Sequence, residues 1–228
     1  MTGFRRRALG LVTIGQSPRD DVMPQMTPVL PSNLDLRQVG ALDGLAYEEI
    51  LGLAPGPDDY VLHTRLRDGT SVTIGREGVV SLVQACIDEL EEEGANPILL
   101  LCTGEFPELH SRRLLIEPDR LLVNVVRGLG VRRLGVMVPL TSQIGELTEK
   151  WGDINVAVTF AAASPYADED EVTRAAGELP GHELDLVVMD CIGYTAAHKR
   201  TVSQATGRPI ILSSSVVARI VGELLESG

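Results

Sequence analysis

The stretch LVVMDCIGY, Leu186–Tyr194, is an apolar run that ends in a cysteine and opens into a glycine turn. An unbroken run of Leu, Val and Met, without polar alternation, describes a strand covered on both faces, as in a parallel sheet. A second stretch, ILLLCTGEFP, Ile98–Pro107, repeats the shape: an apolar run, then Cys102, then Gly104. Two covered strands far apart in the chain thus each deliver a thiol at the same end.

Strand-like and helix-like pieces alternate outward from these two stretches. Strands are predicted over 8–15, 34–39, 96–102, 133–138, 156–161, 184–190 and 209–212, with a short extended piece at 113–117. Helices are predicted over 20–30, 47–52, 118–129, 143–151, 168–179, 195–206 and 213–226, the last one capped by a serine. Pro118 sits at the favoured first-turn position of its helix. Residues 60–66 and 70–74, separated by Arg67, Asp68 and Gly69, form the one expected hairpin. Between the hairpin and the strand at 96–102, Val79, Val80, Leu82, Val83, Cys86, Ile87 and Leu90 share one helical face. Glu91, Glu92 and Glu93 form that helix's exposed end, and Gly94 stops it. This order is that of an α/β protein with mainly parallel sheets flanked by helices. A break is expected near Glu117–Pro118. It makes residues 1–117 plus 209–228 a first lobe and residues 118–208 a second.

The 228 residues are enough for one large domain or two small ones. Lys and Arg number 20 and Asp and Glu 32, a net charge of −12 that repels phosphate backbones and anionic membranes. Nucleic acid and membrane are therefore not expected partners. No apolar stretch reaches the ~18 residues of a membrane span. The N-terminal MTGFRRRALGLVTIG mimics a signal peptide, with the arginines as a solvated lead-in. Gln16, Ser17, Pro18 and Arg19 follow, however, where small cleavage-site residues belong, so a cytoplasmic protein is expected. Three cysteines in a reducing compartment argue against a disulfide framework, and no Cys/His spacing suits zinc.

Ligands of open α/β sheets bind beyond the carboxyl ends of the strands, where Cys102 and Cys191 fall. Gly104 and Gly193 follow closely and let backbone approach a ligand. A cysteine at a strand end is also a small buried hydrophobe, and both readings stand; Cys86, in a helical apolar stripe, is core. A pair of thiols suits one chemistry: one removes a proton beside a carboxylate and the other replaces it on the opposite face, with no cofactor. A free thiol has a pKa near ~8.5, so one must be acidified, by a cation or by the N-termini of helices following Gly104 and Gly193. Gly15, Gln16, Ser17 and Arg19 lie past the first strand. Arg19 can grip a carboxylate bidentately, with Ser17 adding a hydrogen bond. Equally, Ser17–Asp20 can be a turn with a solvated arginine. The glycines fit no dinucleotide or phosphate-loop fingerprint.

LVTIGQSPRDDV near the N-terminus, LLLCTGEFP in the middle, and VVMDCIGYTAAHKR followed by PIILSSSVVARIVGELL at the end resemble the AroM family over essentially the whole chain. That family is similar in plan to the aspartate/glutamate racemase superfamily. The resemblance implies two pseudo-symmetric α/β lobes with one catalytic cysteine each. It also implies cofactor-independent racemases, isomerases and decarboxylases of small carboxylic acids as relatives. Here the first cysteine continues as Thr103-Gly104 and the second as Ile192-Gly193, where racemases carry polar neighbours. Asp190 also precedes the second thiol, although strand alternation aims the two side chains at opposite faces.

The expected protein is thus a racemase, isomerase or lyase of a small carboxylate, with Cys102 and Cys191 catalytic. Gln16, Ser17, Arg19, Thr103, Gly104, Gly193 and Tyr194 would bind substrate, with no cofactor and no metal. A homodimer through lobe helices is expected. The rival is a non-catalytic binding or regulatory protein that keeps the cleft. Lesser candidates carry blander readings: Glu105 a solvated loop acid, Tyr194 equally a packed ring, His198 and His110 surface residues. Ser213 or Ser214 is read as the cap of the last helix.

Overall fold

The structure is a computed structural model and describes residues 7–107 and 109–226. Arg5 and Arg6 of the expected lead-in lie outside the described residues; Arg7 is exposed and donates to the Leu225 carbonyl at 2.7 Å. Contacts divide the chain into Met1–Pro118 with Ala218–Gly228, and Asp119–Val217. Among the described residues, no helix is long and apolar enough to cross a membrane.

In the first unit, β1 (Ala8–Thr13), β2 (Asp35–Gly40), β5 (Ile98–Leu100) and β6 (Leu115–Ile116) form a four-stranded parallel sheet in the order β2-β1-β5-β6. The antiparallel hairpin β3 (Val61–Arg65) and β4 (Ser71–Gly75) is as expected. Helix α3 (Arg76–Glu92) buries Val79, Val83, Cys86, Ile87 and Leu90 in the core beside the sheet, with Val80 and Leu82 packed at its flanks. Glu91 departs from the expected exposed end. It is buried and accepts from the Ser111 hydroxyl at 2.6 Å and from Arg112 Nε at 2.6 Å. The helix expected over 20–30 shrinks to α1 (Met23–Met26) and a 3-10 turn, Thr27–Val29. Pro28 has no N–H to extend the α-helical ladder. Helix α2 (Tyr47–Leu51) matches its expectation.

In the second unit, β7 (Arg133–Val138), β8 (Ala157–Ala162), β9 (Leu186–Met189) and β10 (Ile210–Leu212) form another all-parallel sheet, in the order β8-β7-β9-β10. Helices α4 (Pro118–Leu129), α5 (Ile144–Gly152), α6 (Glu169–Glu178) and α7 (Ala196–Thr206) accompany it, and α8 (Ser213–Glu226) carries the chain back into the first unit. The domain reading needs correcting at β10. The sequence assigned residues 209–228 to the first lobe, but Ile210–Leu212 pairs with Val187–Met189 of β9. A three-residue strand has no local signal for its partner; hydrogen bonding across the sheet decides it.

The two sheets share one topology. Read in chain order within each sheet, both run second-first-third-fourth. Register agrees as well. Gly10 of β1 pairs with Ile98 of β5, and Gly135 of β7 pairs with Val187 of β9. Cys102 lies four residues beyond Ile98, and Cys191 lies four beyond Val187. The two thiols therefore occupy topologically equivalent positions, each after the third strand of its sheet.

Candidate active site

Past β5, the Leu101 N–H still donates to the Val12 carbonyl at 2.7 Å, so Cys102 is the first residue to leave the sheet. It is 8% exposed. The Gly104 N–H points at its sulfur at 3.3 Å. A Cβ at Gly104 would stand 2.6 Å from Leu62 Cδ2, itself buried in the core. The turn can press onto the hairpin only because this residue has no side chain. The next N–H, of Glu105, donates to Tyr60 Oη at 3.1 Å.

Past β9 the pattern recurs. The Gly193 N–H points at Cys191 Sγ at 3.4 Å. A Cβ at Gly193 would meet Tyr166 Oη at 3.0 Å and Pro165 Cγ at 3.1 Å. Cys191 is half-buried against the core cluster that holds Val187 and Met189. Asp190 faces the other way, as strand alternation requires. Its carboxylate accepts from Lys150 Nζ at 3.0 and 3.2 Å and from Trp151 Nε1 at 2.8 Å. Trp151 belongs to the core cluster on the opposite side of the sheet, so this carboxylate is neutralised by Lys150 away from the thiol. A backbone N–H directed at sulfur favours the thiolate, and each cysteine has one.

The helical field expected behind each glycine exists at only one. Helix α7 starts at Ala196, with Thr195 as its cap: Thr195 Oγ1 accepts the His198 N–H at 3.3 Å, and His198 Nδ1 accepts the Thr195 N–H at 3.2 Å. His198 is thus a half-buried capping residue rather than a surface one. Its ring meets Tyr194 edge-on at 5.9 Å, and burial lowers its pKa against an opposing effect of Glu169. After Gly104 no helix occurs among the described residues before Pro118.

Several expected substrate contacts are committed elsewhere. The Arg19 guanidinium is 5% exposed and bidentate to Asp21, through Nε and NH2 at 2.8 Å each, and its NH1 donates to Thr13 Oγ1 at 3.0 Å. Burial raises the Asp21 pKa, but the hydrogen bonds and charge of Arg19 outweigh it and hold the carboxyl below its ordinary value. Arg19 therefore fastens its own loop and is not a solvated arginine. Ser17 donates its N–H at 2.7 Å and its hydroxyl at 2.6 Å to the two oxygens of Asp43. Asp43 also accepts from the Gly40 N–H at 2.8 Å and Arg67 NH2 at 3.0 Å. The Gln16 amide bridges the Leu42 carbonyl at 3.2 Å and the Arg67 N–H at 3.0 Å.

Tyr194 is fully buried, a packed ring whose hydroxyl donates to the Ala163 carbonyl at 2.6 Å. Burial, then the nearby Cys191 and Asp190, push its phenol well above the ordinary tyrosine value. Ser213 and Ser214 are buried and donate to the Met189 and Tyr194 carbonyls; they tie α8 to the cysteine segment. Thr103 is buried in the Cys102 turn. His110 is exposed, as expected, its backbone exchanging hydrogen bonds with the Gln84 side chain. Cys86 is core, and burial pushes its thiol up to about 12.

Sequence reasoning missed Asp43, Tyr60, Arg76, Tyr166, Lys150 and Trp151. Most were visible as residue types, but their partners lie 26 to 45 residues away, as in Ser17–Asp43, Lys150–Asp190 and Tyr60–Glu105. No periodicity reports such pairs.

Comparison with solved structures shows a common fold. A variant of the Nocardia farcinica maleate cis-trans isomerase with a covalently bound succinylcysteine intermediate matches with a TM-score of 0.65 and 16% identity, over 97% of this chain and 94% of that one. Arylmalonate decarboxylase matches with 0.58 and 16%, over 97% and 93%. Picrophilus torridus aspartate racemase matches with 0.60 and 13%, over 96% and 94%. No curated protein matches the chain in sequence. The family model described as AroM protein matches residues 9–225, and the chain, with its cysteine after the third strand of each sheet, belongs to the AroM family.

Proposed function

We propose that the protein is a cofactor-independent racemase, isomerase or lyase that moves a proton at the α-carbon of a small carboxylic acid, with Cys102 and Cys191 as the paired acid and base. The observation that carries this reading is the equivalence of the two thiols: same register, same following glycine, same N–H directed at sulfur. Solved proteins of the same fold include a racemase, a decarboxylase and an isomerase, the last with a carbon substituent on a cysteine.

In racemisation, the thiolate of one cysteine takes the α-proton and the thiol of the other gives its proton to the opposite face, so the two exchange roles with each turnover. In decarboxylation, the bond to the departing carboxylate breaks and leaves its electron pair on the α-carbon. One thiol then protonates that carbon and recovers its proton from water. Thr103 and the Gly104 and Gly193 turns, which adjoin the two thiols in sequence, would line the substrate.

The test is exchange in D2O with panels of amino, hydroxy and malonate-type acids. Deuterium should enter the α-position of at least one acid; C102S and C191S should each slow racemisation by about 10²–10⁴-fold, and at least one of them should slow a decarboxylation as much. No exchange from folded protein with any acid would remove the catalytic reading. The commitment of Arg19, Ser17 and Tyr194 favours one rival, a ligand-binding or regulatory protein. Its mark is undiminished calorimetric binding of a carboxylate by the C102S/C191S double variant, together with slow alkylation of both thiols in the native chain.

A further inference from the structure

Beside Cys102, two side chains close on a single residue, Glu105. The Glu105 N–H donates to Tyr60 Oη at 3.1 Å, and the Glu105 carbonyl accepts from Arg76 NH1 at 3.3 Å. Arg76 also lies over the Tyr60 ring, its guanidinium carbon 4.5 Å from the centroid. Each end of the Glu105 residue is held, and the two holding side chains hold each other. Its neighbour Gly104 supplies the N–H aimed at Cys102 Sγ, and Tyr60 Cε1 lies 3.5 Å from where a Gly104 Cβ would stand. The contacts to Glu105 thus fix the direction of the donor one residue before it.

Arg76 and Tyr60 are well placed for this. Arg76 opens α3, and Tyr60 directly precedes β3. The Arg76 N–H donates to the Tyr60 carbonyl at 2.9 Å, so backbone as well as side chains join them. Arg76 also pairs with Glu77 at 2.9 Å, but that carboxylate side chain is 66% exposed and the pair is weak. The Cys191 turn is built differently. There Pro165 and Tyr166 pack against Gly193, and the Tyr194 N–H reaches back to the Cys191 carbonyl at 3.4 Å.

We infer that Tyr60, with Arg76 stacked on it, is a positioning residue for Cys102: the pair locks the Gly104–Glu105 turn so that the Gly104 N–H stabilises the Cys102 thiolate. The inference rests on the reading of Cys102 as a reacting thiol, but its measurement needs no substrate and stands or falls apart from any turnover.

The experiment follows iodoacetamide alkylation of Cys102 and Cys191 separately, by peptide mass spectrometry, as a function of pH in the full chain and in Y60F. Loosening a hydrogen bond to the thiolate should slow Cys102 labelling near neutral pH by about threefold to tenfold. The midpoint of the Cys102 profile should move up, while that of Cys191 stays put. R76M should act in the same direction. Should Y60F not fold, R76M alone carries the test. Unchanged Cys102 profiles in a folded Y60F or R76M variant would overturn the inference. So would equal shifts at Cys102 and Cys191, since these would report general loosening.

Discussion

Cys102 and Cys191 hold the same register in separate sheets, each four residues beyond the strand residue that pairs with a glycine of the sheet's first strand, Gly10 or Gly135. Each also receives an N–H from the glycine two residues on. Such agreement in topology, register and local hydrogen bonding is the mark of one α/β unit used twice, with a thiol at the same place in each.

Thiol labelling should sort the three cysteines. The Cys86 thiol is pushed up to about 12 by burial, then by Glu89 and Asp43, so it holds almost no thiolate at pH 8. Intact-mass analysis under native conditions should show two labels, with Cys86 modified only after denaturation. C86S should leave turnover unchanged, whereas C102S and C191S should each slow racemisation by about 10²–10⁴-fold, the usual value of a general acid or base.

Arg19→Met tests whether that side chain serves its loop or a substrate. Removing one partner of a hydrogen-bonded charge pair leaves Asp21 poorly compensated, at a cost of about 1–3 kcal/mol by urea denaturation. Since the guanidinium belongs to Asp21 and Thr13, the affinity for a carboxylate substrate should be unaffected at temperatures where the variant is folded. A large rise in KM at unchanged stability would restore Arg19 as a substrate contact.

The Lys150–Asp190–Trp151 group should behave as a buried ion pair. The side chains of Lys150 and Asp190 are 2% and 0% exposed. Lys150→Met alone should cost about 3–5 kcal/mol, because it strands a buried carboxylate. The double change K150M/D190N should recover much of that loss, since no net charge then lies buried. Chemical denaturation of the two singles and the double forms the cycle that measures the coupling.

Acid should unfold the protein partly through Glu91. Hydrogen bonds from Ser111 and Arg112 hold its pKa down to about 2, below an unfolded value near ~4.3. A carboxyl whose folded pKa is depressed contributes stability above the unfolded value, and that contribution disappears as pH falls through the folded one. The loss should therefore develop between about pH 4.5 and pH 2. Glu91→Gln should flatten the stability profile in that window, and an unchanged acid limb in the variant would contradict the assignment.

Periodicity and breakers alone were enough to determine the element order, the parallel sheets, the hairpin, the core helix with Cys86 and the two cysteines at strand ends, because these follow from local pattern. Only the tertiary structure decided that β10 joins β9, that Glu91 is buried, and that Gln16, Ser17, Arg19 and Tyr194 already have partners. A polar side chain is available to a ligand only if nothing in the fold satisfies it first. For Ser17 the satisfying group, Asp43, stands 26 residues away, and for Asp190 it is Lys150, 40 residues away. Distances of that kind are fixed by packing, not by sequence period.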